Sequence, residues 1–215
     1  MRRLLVFGLL LALLPVGTAL ASHLDPQKKI RPADQARARA MLFKKADFGS
    51  GVRTQPNAAD AHVTCRGVSQ SDLTVTGEAE SPTFIGGVTA FSSSAQVYRT
   101  LADSNGGWRR STGAGAAKCL ELVLSREYSK QGLTLQSFRK RAFPRVGHGS
   151  VAFRVVLSGE SQGVTVSFTL DVIGLLYSRA QVALAVVSLS PPTKPEEVRL
   201  ARIVAGRMAK AMGGS

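Results

Sequence analysis

Three histidines, two cysteines and fourteen acidic side chains are the residues of this 215-residue chain that could carry nucleophilic, acid–base or metal chemistry. His23, His62 and His148 stand far apart, and none has a Cys or His neighbour at the spacing of a zinc site. The run Gly147-His148-Gly149-Ser150 sets a serine close to a histidine, but near neighbours on one turn do not make a nucleophile–base hydrogen bond. No G-x-S-x-G elbow accompanies them, and the run reads as a turn between strands. Among the acids, Glu121, Glu127, Glu160 and Asp171 are the candidates for a general acid/base pair. Glu121 and Glu127, six apart on one expected helix, point to different faces, and Glu160 falls on a hairpin tip; all four read as solvated surface carboxylates. Gly86-Gly87 and Gly113-x-Gly115 are too short for a phosphate-binding loop. No catalytic, metal or cofactor residue is assigned, no cofactor is expected, and the chain reads as non-enzymatic.

Charge is the stronger lead. Lys and Arg number 28 against 14 Asp and Glu, a formal charge of +14, while 44% of residues are apolar. That apolar share is enough for a folded core and excludes a disordered polycation. The candidate anion contacts are Arg109 and Arg110, together with Arg139, Lys140 and Arg141. Trp108, next to Arg109 and behind two glycines, is a candidate exposed aromatic contact, although a core position is the commoner place for a tryptophan. Aromatics make up only 6% of the chain, too few to interleave with bases, so specific nucleic-acid binding is not expected. The partner expected is an unidentified small molecule or an anionic envelope polymer or lipid.

The amino terminus supplies an address. Arg2 and Arg3 precede an apolar run from Leu4 to Leu14, Pro15 and Gly17 break it, and Ala19-Leu20-Ala21 is the small-x-small pattern of a signal-peptidase site. Residues 1–21 are therefore expected to be a signal peptide cleaved between Ala21 and Ser22, with retention as an uncleaved anchor as the alternative. Residues 22–31 are expected to be a flexible lead-in and 32–215 a single secreted, extracytoplasmic domain, monomeric and without a membrane span. Losing Arg2 and Arg3 leaves 26 cations against 14 acids, or +12. In an oxidising compartment Cys65 and Cys119 are expected to close a disulfide around a loop of a little over fifty residues, worth about 4 kcal/mol by chain entropy. Two free thiols are the alternative.

These residues need elements to hold them. Pro32 to about Lys45 predicts a helix stopped by Gly49 and Gly51. Short strands are expected at His62–Arg66, Leu73–Thr76 and Phe84–Phe91. Ser92-Ser93-Ser94 offers hydroxyl caps for a helix over Ala95–Asp103, ended by Asn105-Gly106-Gly107, and Thr112 opens a second over roughly Ala114–Lys130. If the disulfide forms, it pins this second helix to the strand carrying Cys65. Alternating apolar residues predict strands at Leu133–Phe143, Val151–Ser158 and Val164–Val172, the last two joined by a hairpin at Ser158–Gly163. Gln181–Leu189 predicts a fourth strand buried on both faces. Thr193 with Glu196 forms a capping box for a terminal amphipathic helix with Val198, Ala201, Val204, Ala205, Met208 and Met212 inside. The fold class is α+β: an antiparallel sheet of about five or six strands flanked by helices, with the C-terminal amphipathic helix lying on it.

The order "ADQARARAMLFKKADFGSGV", "HVTCRG", "DLTVTGEAESPTF", "SSSAQVYRTLADSNGGW", "AAKCLE" and "PPTKPEEVRLARIVAGRMAKAM" resembles the secreted sensor-like domains of actinobacteria. Their best-known member is the extracellular domain of the PknH-type serine/threonine kinases, and the looser cousins are PsbP- and Mog1-like sandwiches. The resemblance spans most of residues 32–212 and is one of pattern and order. It implies a helix-flanked antiparallel sheet and a sensing or ligand-binding role. The kinase and its transmembrane helix have no counterpart here, and the kinase domains carry two disulfides where this chain can form one. The resulting expectation is an exported non-enzymatic sensor-like or ligand-binding domain directed at an anionic envelope component. An apolar-ligand carrier with a cavity between sheet and helices is the alternative, and a hydrolase stands behind both.

Overall fold

The computed structural model describes residues 26–57, 69–190 and 192–213. The signal segment, the strand at His62–Arg66, Cys65, His23 and His62 lie outside the described residues.

Period-two alternation builds the C-terminal half. Strands β6 (Leu133–Arg141), β7 (Gly149–Ser161), β8 (Val164–Tyr177) and β9 (Ala180–Ser188) run as an antiparallel meander. The β7–β8 hairpin closes through Gln162 and Gly163 at φ 53° and 75°. Two positive φ values give a tight turn the twist of its flanking strands. β9 is buried at every position, as a strand with no wet face should be.

Upstream, the largest departure from expectation lies at residues 89–98. They form strand β5 (Thr89–Tyr98) rather than leading into a helix at Ala95, and β5 pairs with β9 along its length. Ser92, Ser93 and Ser94 therefore cap nothing. Ser93 Oγ accepts the Phe43 amide at 2.8 Å, and the Ser93 amide donates to Ser81 Oγ at 2.9 Å. Small hydroxyl residues buried on both sides erase the apolar alternation that identifies a strand. β3 (Thr74–Glu80) flanks β5, β1 (Gln27–Lys28) adds to β3 in parallel, and β2 (Arg53–Gln55) pairs with β4 (Thr83–Gly86), itself on β5. The result is one nine-stranded sheet ordered β1-β3-β5-β9-β8-β7-β6, with β2 and β4 beside β5. The expected five or six strands fell short because β1, β2 and β4 are too short to show a period.

Helices cover both faces. Helices α1 (Pro32–Met41) and α4 (Lys194–Ala211) share a core with Ala95, Val97, Ile173, Leu175 and Leu184. Helix α3 (Ala114–Ser129) places Leu120, Leu124 and Tyr128 against Val155, Leu157 and Leu170 on the other side. Helix α2 (Leu101–Thr112) precedes it, opened by Thr100 Oγ1, which accepts the Asp103 amide at 3.0 Å. Thr112 ends this helix instead of opening the next. Asn105-Gly106-Gly107 lies inside it because a Cβ at Gly106 would meet Leu73 at 3.4 Å, and one at Gly107 the Tyr98 hydroxyl at 2.9 Å. Those glycines let the helix lie close on the sheet. The Thr193–Glu196 capping box does not form: Thr193 makes no side-chain cap, and Glu196 takes the Arg199 guanidinium at 2.7 and 2.9 Å.

On the α1–α4 face, arginine–carboxylate contacts fix the helices. Asp34 of α1 receives Thr76 Oγ1 at 2.7 Å, Arg37 at 2.6 Å and Arg179 at 3.2 Å. Burial pushes its carboxyl up, but those hydrogen bonds outweigh it and bring the group down to about 2. After α1 a 3-10 turn at Lys45–Phe48 sets Asp47 against Arg207 of α4 at 2.5 and 2.7 Å, and Phe48 among Phe43, Phe84 and Phe91.

The first turn of α1 lies directly on β3 at Gly77, where a Cβ would sit 2.2 Å from the Asp34 carbonyl oxygen. Neither backbone can yield cheaply. Gly77→Ala is expected to lower unfolding free energy by about 1–3 kcal/mol, read from a shifted urea midpoint at unchanged slope.

Candidate functional site

The expected site residues divide between the two faces of the sheet. Trp108, on α2, is half-buried rather than exposed. Its indole lies over two glycines of adjacent strands: a Cβ on Gly149 of β7 would be 3.5 Å from the ring, and one on Gly174 of β8 3.3 Å from it. The absent side chains leave a flat patch of sheet on which the indole rests. Beside it is a shallow, largely apolar cleft lined by Trp108, Ser111, Thr112, Phe153, Val172 and Gln181. Its volume is about 30 Å³.

Next to this cleft lie cations of two kinds. Arg109 of α2 is exposed. Its neighbour Arg110 is held in a two-pronged pair with Asp72, one arm at 2.8 Å, and also donates to the Ser69 carbonyl at 2.9 Å. The guanidinium beside it holds the Asp72 carboxyl below the usual carboxylate range. On β6, Arg139 and Lys140 are both exposed but point to opposite faces. Lys140 pairs across strands with Phe153, which lines the cleft, whereas Arg139 pairs with Arg154 on the α4 side. Of the five expected anion contacts, Lys140 lies on the cleft face, Arg109 is the exposed neighbour of Trp108 on α2, Arg139 looks away from the cleft, and Arg110 is paired with Asp72.

Arg141, the fifth, belongs to a buried network that sequence reasoning missed. Its guanidinium donates to Glu197 of α4 at 2.6 and 2.7 Å and stands 3.6 Å from Asp171 of β8. Arg154 of β7 grips Asp171 through two bonds of 2.6 and 2.7 Å. Asp171 and Glu197 are both 0% exposed, so the reading of Asp171 as a solvated surface acid is corrected. Asp171 falls on the polar side of the alternation with Ser167 and Thr169, and the one local hint of its burial is that this side turns apolar at Ile173 and Leu175; nothing local points to its partners.

The other candidates have ordinary roles. His148 stacks on Tyr177 at 4.2 Å, and its Nδ1 accepts the Ser178 amide at 3.1 Å. Ser150 Oγ donates to the Pro144 carbonyl at 2.8 Å and accepts the Val146 amide, so the two make no dyad. Glu127 pairs with Lys130, and Glu160 accepts Thr165 Oγ1. Among the described residues no cluster of three His, Cys, Asp or Glu side chains could hold a metal ion.

Of the two cysteines expected to form a disulfide, only Cys119 falls within the described residues. Cys119 sits on α3 and is not a free thiol. The attachment of α3 to the sheet is accounted for by Leu120, Leu124 and Tyr128.

Trp108 is the protein's one tryptophan, so its emission reports on the cleft. Gly174→Ala puts a methyl 3.1 Å from Val151 Cγ1 and 3.3 Å from the indole, whereas Gly149→Ala meets the ring at an ordinary 3.5 Å. Gly174→Ala is expected to shift Trp108 emission to the red and cost about 1–3 kcal/mol, with Gly149→Ala close to wild type in both; equal behaviour would contradict this packing.

No family model matches the chain, and no curated protein does. Among solved structures it is similar to the extracellular domain of PknH from Mycobacterium tuberculosis, at 9% identity and a TM-score of 0.48 over 85% of this chain and 100% of that one. It is also similar to PA94, a protein of unknown function from Pseudomonas aeruginosa, at 9% identity and a TM-score of 0.24 over 75% of this chain and 92% of that one. Neither likeness assigns the chain to a family.

Proposed function

We propose that this is an exported, non-catalytic sensor-like domain that binds an anionic component of the cell envelope on its α2 face. The observation that carries this reading is the half-buried Trp108 beside a shallow apolar cleft, with Arg109 next to it on α2 and Lys140 on the same face of the sheet as Phe153; neither cation has a carboxylate partner among the described residues. An aromatic edge with cations on the same face suits a ligand that is part apolar and part anionic, such as a phospholipid headgroup region. The excess of cations over acids adds long-range attraction over about a Debye length. At about 30 Å³ this cleft is far smaller than a pocket that encloses a ligand, so the contact proposed here is one at the surface.

The test is co-sedimentation with phosphatidylglycerol vesicles and retention on heparin at low and moderate salt, with Trp108 emission followed throughout. Wild type is expected to bind at low salt, lose most binding by about 0.5 M salt, and shift its emission on vesicles. Arg109→Glu with Lys140→Glu is expected to weaken binding at least tenfold, while Arg202→Glu, exposed on α4 at the other face of the sheet, changes it less than threefold. No retention at low ionic strength, or loss shared equally by all three charge changes, would reject the reading.

A further inference from the structure

Asp171 and Glu197 are two carboxyl groups removed from water and in contact with each other across the joint between β8 and the first turn of α4. The charged groups that bear on Glu197 come from three strands: Arg141 of β6, Arg154 of β7 and Asp171 of β8. On α4 itself, the adjacent Glu196 is turned to Arg199. The two arginine side chains are 18% exposed, so their positive charge reaches solvent while the carboxyl groups do not. The two acids are not equally served. Asp171 has both bonds of Arg154 and lies 3.6 Å from Arg141 Nε, whereas Glu197 relies on Arg141 alone. Arg141 Nε has no hydrogen-bond partner, so the guanidinium is committed to Glu197 through one nitrogen only.

From this geometry we infer that the seat of α4 is a proton-responsive latch, in which the Asp171–Glu197 pair binds one proton on the Glu197 side and holds the terminal helix more firmly when it is bound. Two buried carboxylates in contact do not both ionise without cost, and a proton between them turns repulsion into a hydrogen bond. Burial, the largest influence, and the neighbouring Asp171 push the Glu197 carboxyl from its ordinary 4.5 up to about 7, against the pull of Arg141. The folded protein therefore keeps a proton that the unfolded chain releases above about 4.5. The stabilisation is complete below that value and is lost as pH rises through about 7. The device does not depend on the binding surface proposed above, which lies on the opposite face of the sheet.

The experiment is urea unfolding of the wild-type chain from pH 5 to pH 8, alongside carbon NMR of the glutamate side-chain carboxyls over the same range. The unfolding equilibrium constant is expected to rise by up to about tenfold per pH unit between about pH 5 and 7 and then level off. Glu197→Gln, which keeps the shape and the neutral form, is expected to remove that dependence, and one glutamate carboxyl resonance missing from this variant is expected to titrate near neutrality. A flat wild-type profile, an unchanged slope in Glu197→Gln, or no glutamate titrating above pH 5.5 overturns the latch. If Glu197→Gln fails to fold, the wild-type titration still decides, because it requires no substitution.

Discussion

All nine residues of β9 are buried, and a strand with no wet face obliges the chain to cover both sides of the sheet. Its neighbours β5 and β8 inherit the same requirement along most of their length. The helices answer it in pairs: α1 and α4 close over Leu184, Val182 and Ile173, while α3 closes over Ala185, Val187 and Leu170. A one-residue slip of β9 would exchange those two sets, so the long ladders to β5 and β8 fix the register on which both helical layers depend.

The two layers are attached by different physics. On the α1–α4 side the helices meet the sheet through arginine–carboxylate contacts: Asp34 locates α1, Asp47 the C-terminal half of α4, and Glu197 its first turn. Such contacts are directional and add less stability than their number suggests, because each charge has left water. Their use here is to hold α4 at both ends in one orientation. On the α2 side, close approach does that work. Gly106 and Gly107 bring the helix down onto Leu73 and Tyr98, and Gly149 and Gly174 make room for the Trp108 ring. An indole resting on bare backbone leaves a gap along its edge, and the cleft is that gap.

How much of this was legible in the sequence depends on whether a residue's partners are near it in the chain. The β6–β9 meander and α4 could be read because their alternation and helical stripe are local. β5 could not, because Ser92, Ser93 and Ser94 are the residues of a cap or turn, and only Ser81 and Phe43, from distant parts of the chain, make them strand residues. The glycines of α2 misled for the same reason: Gly106 and Gly107 look like a helix stop until the sheet beneath them is known. Trp108 was legible as either a core or an exposed aromatic and proves half-buried, while Arg109 and Lys140 stood among the candidate contacts without sign that one neighbours Trp108 and the other faces the cleft. The Arg141–Glu197–Asp171–Arg154 network was out of reach, since it joins residues from three strands and a helix 56 positions apart at its widest bond.

This changes what the basic composition means. Arg37, Arg141, Arg154, Arg179 and Arg207 are held against buried carboxylates and offer little to an outside anion. A count of Lys and Arg therefore overstates the charge free to attract a partner, and clusters in sequence mislead about where it lies. Arg139-Lys140-Arg141 looks like one basic patch, yet strand geometry sends Lys140 to the cleft face and its two neighbours to the other, where Arg141 is internal. What remains near Trp108 is a pair of cations from different elements, Arg109 and Lys140. Their joint effect on a ligand depends on the same β6–β7 register that aligns Lys140 with Phe153. The surface proposed for binding and the buried network thus both draw on one strand, β6, whose successive residues serve opposite faces of the sheet.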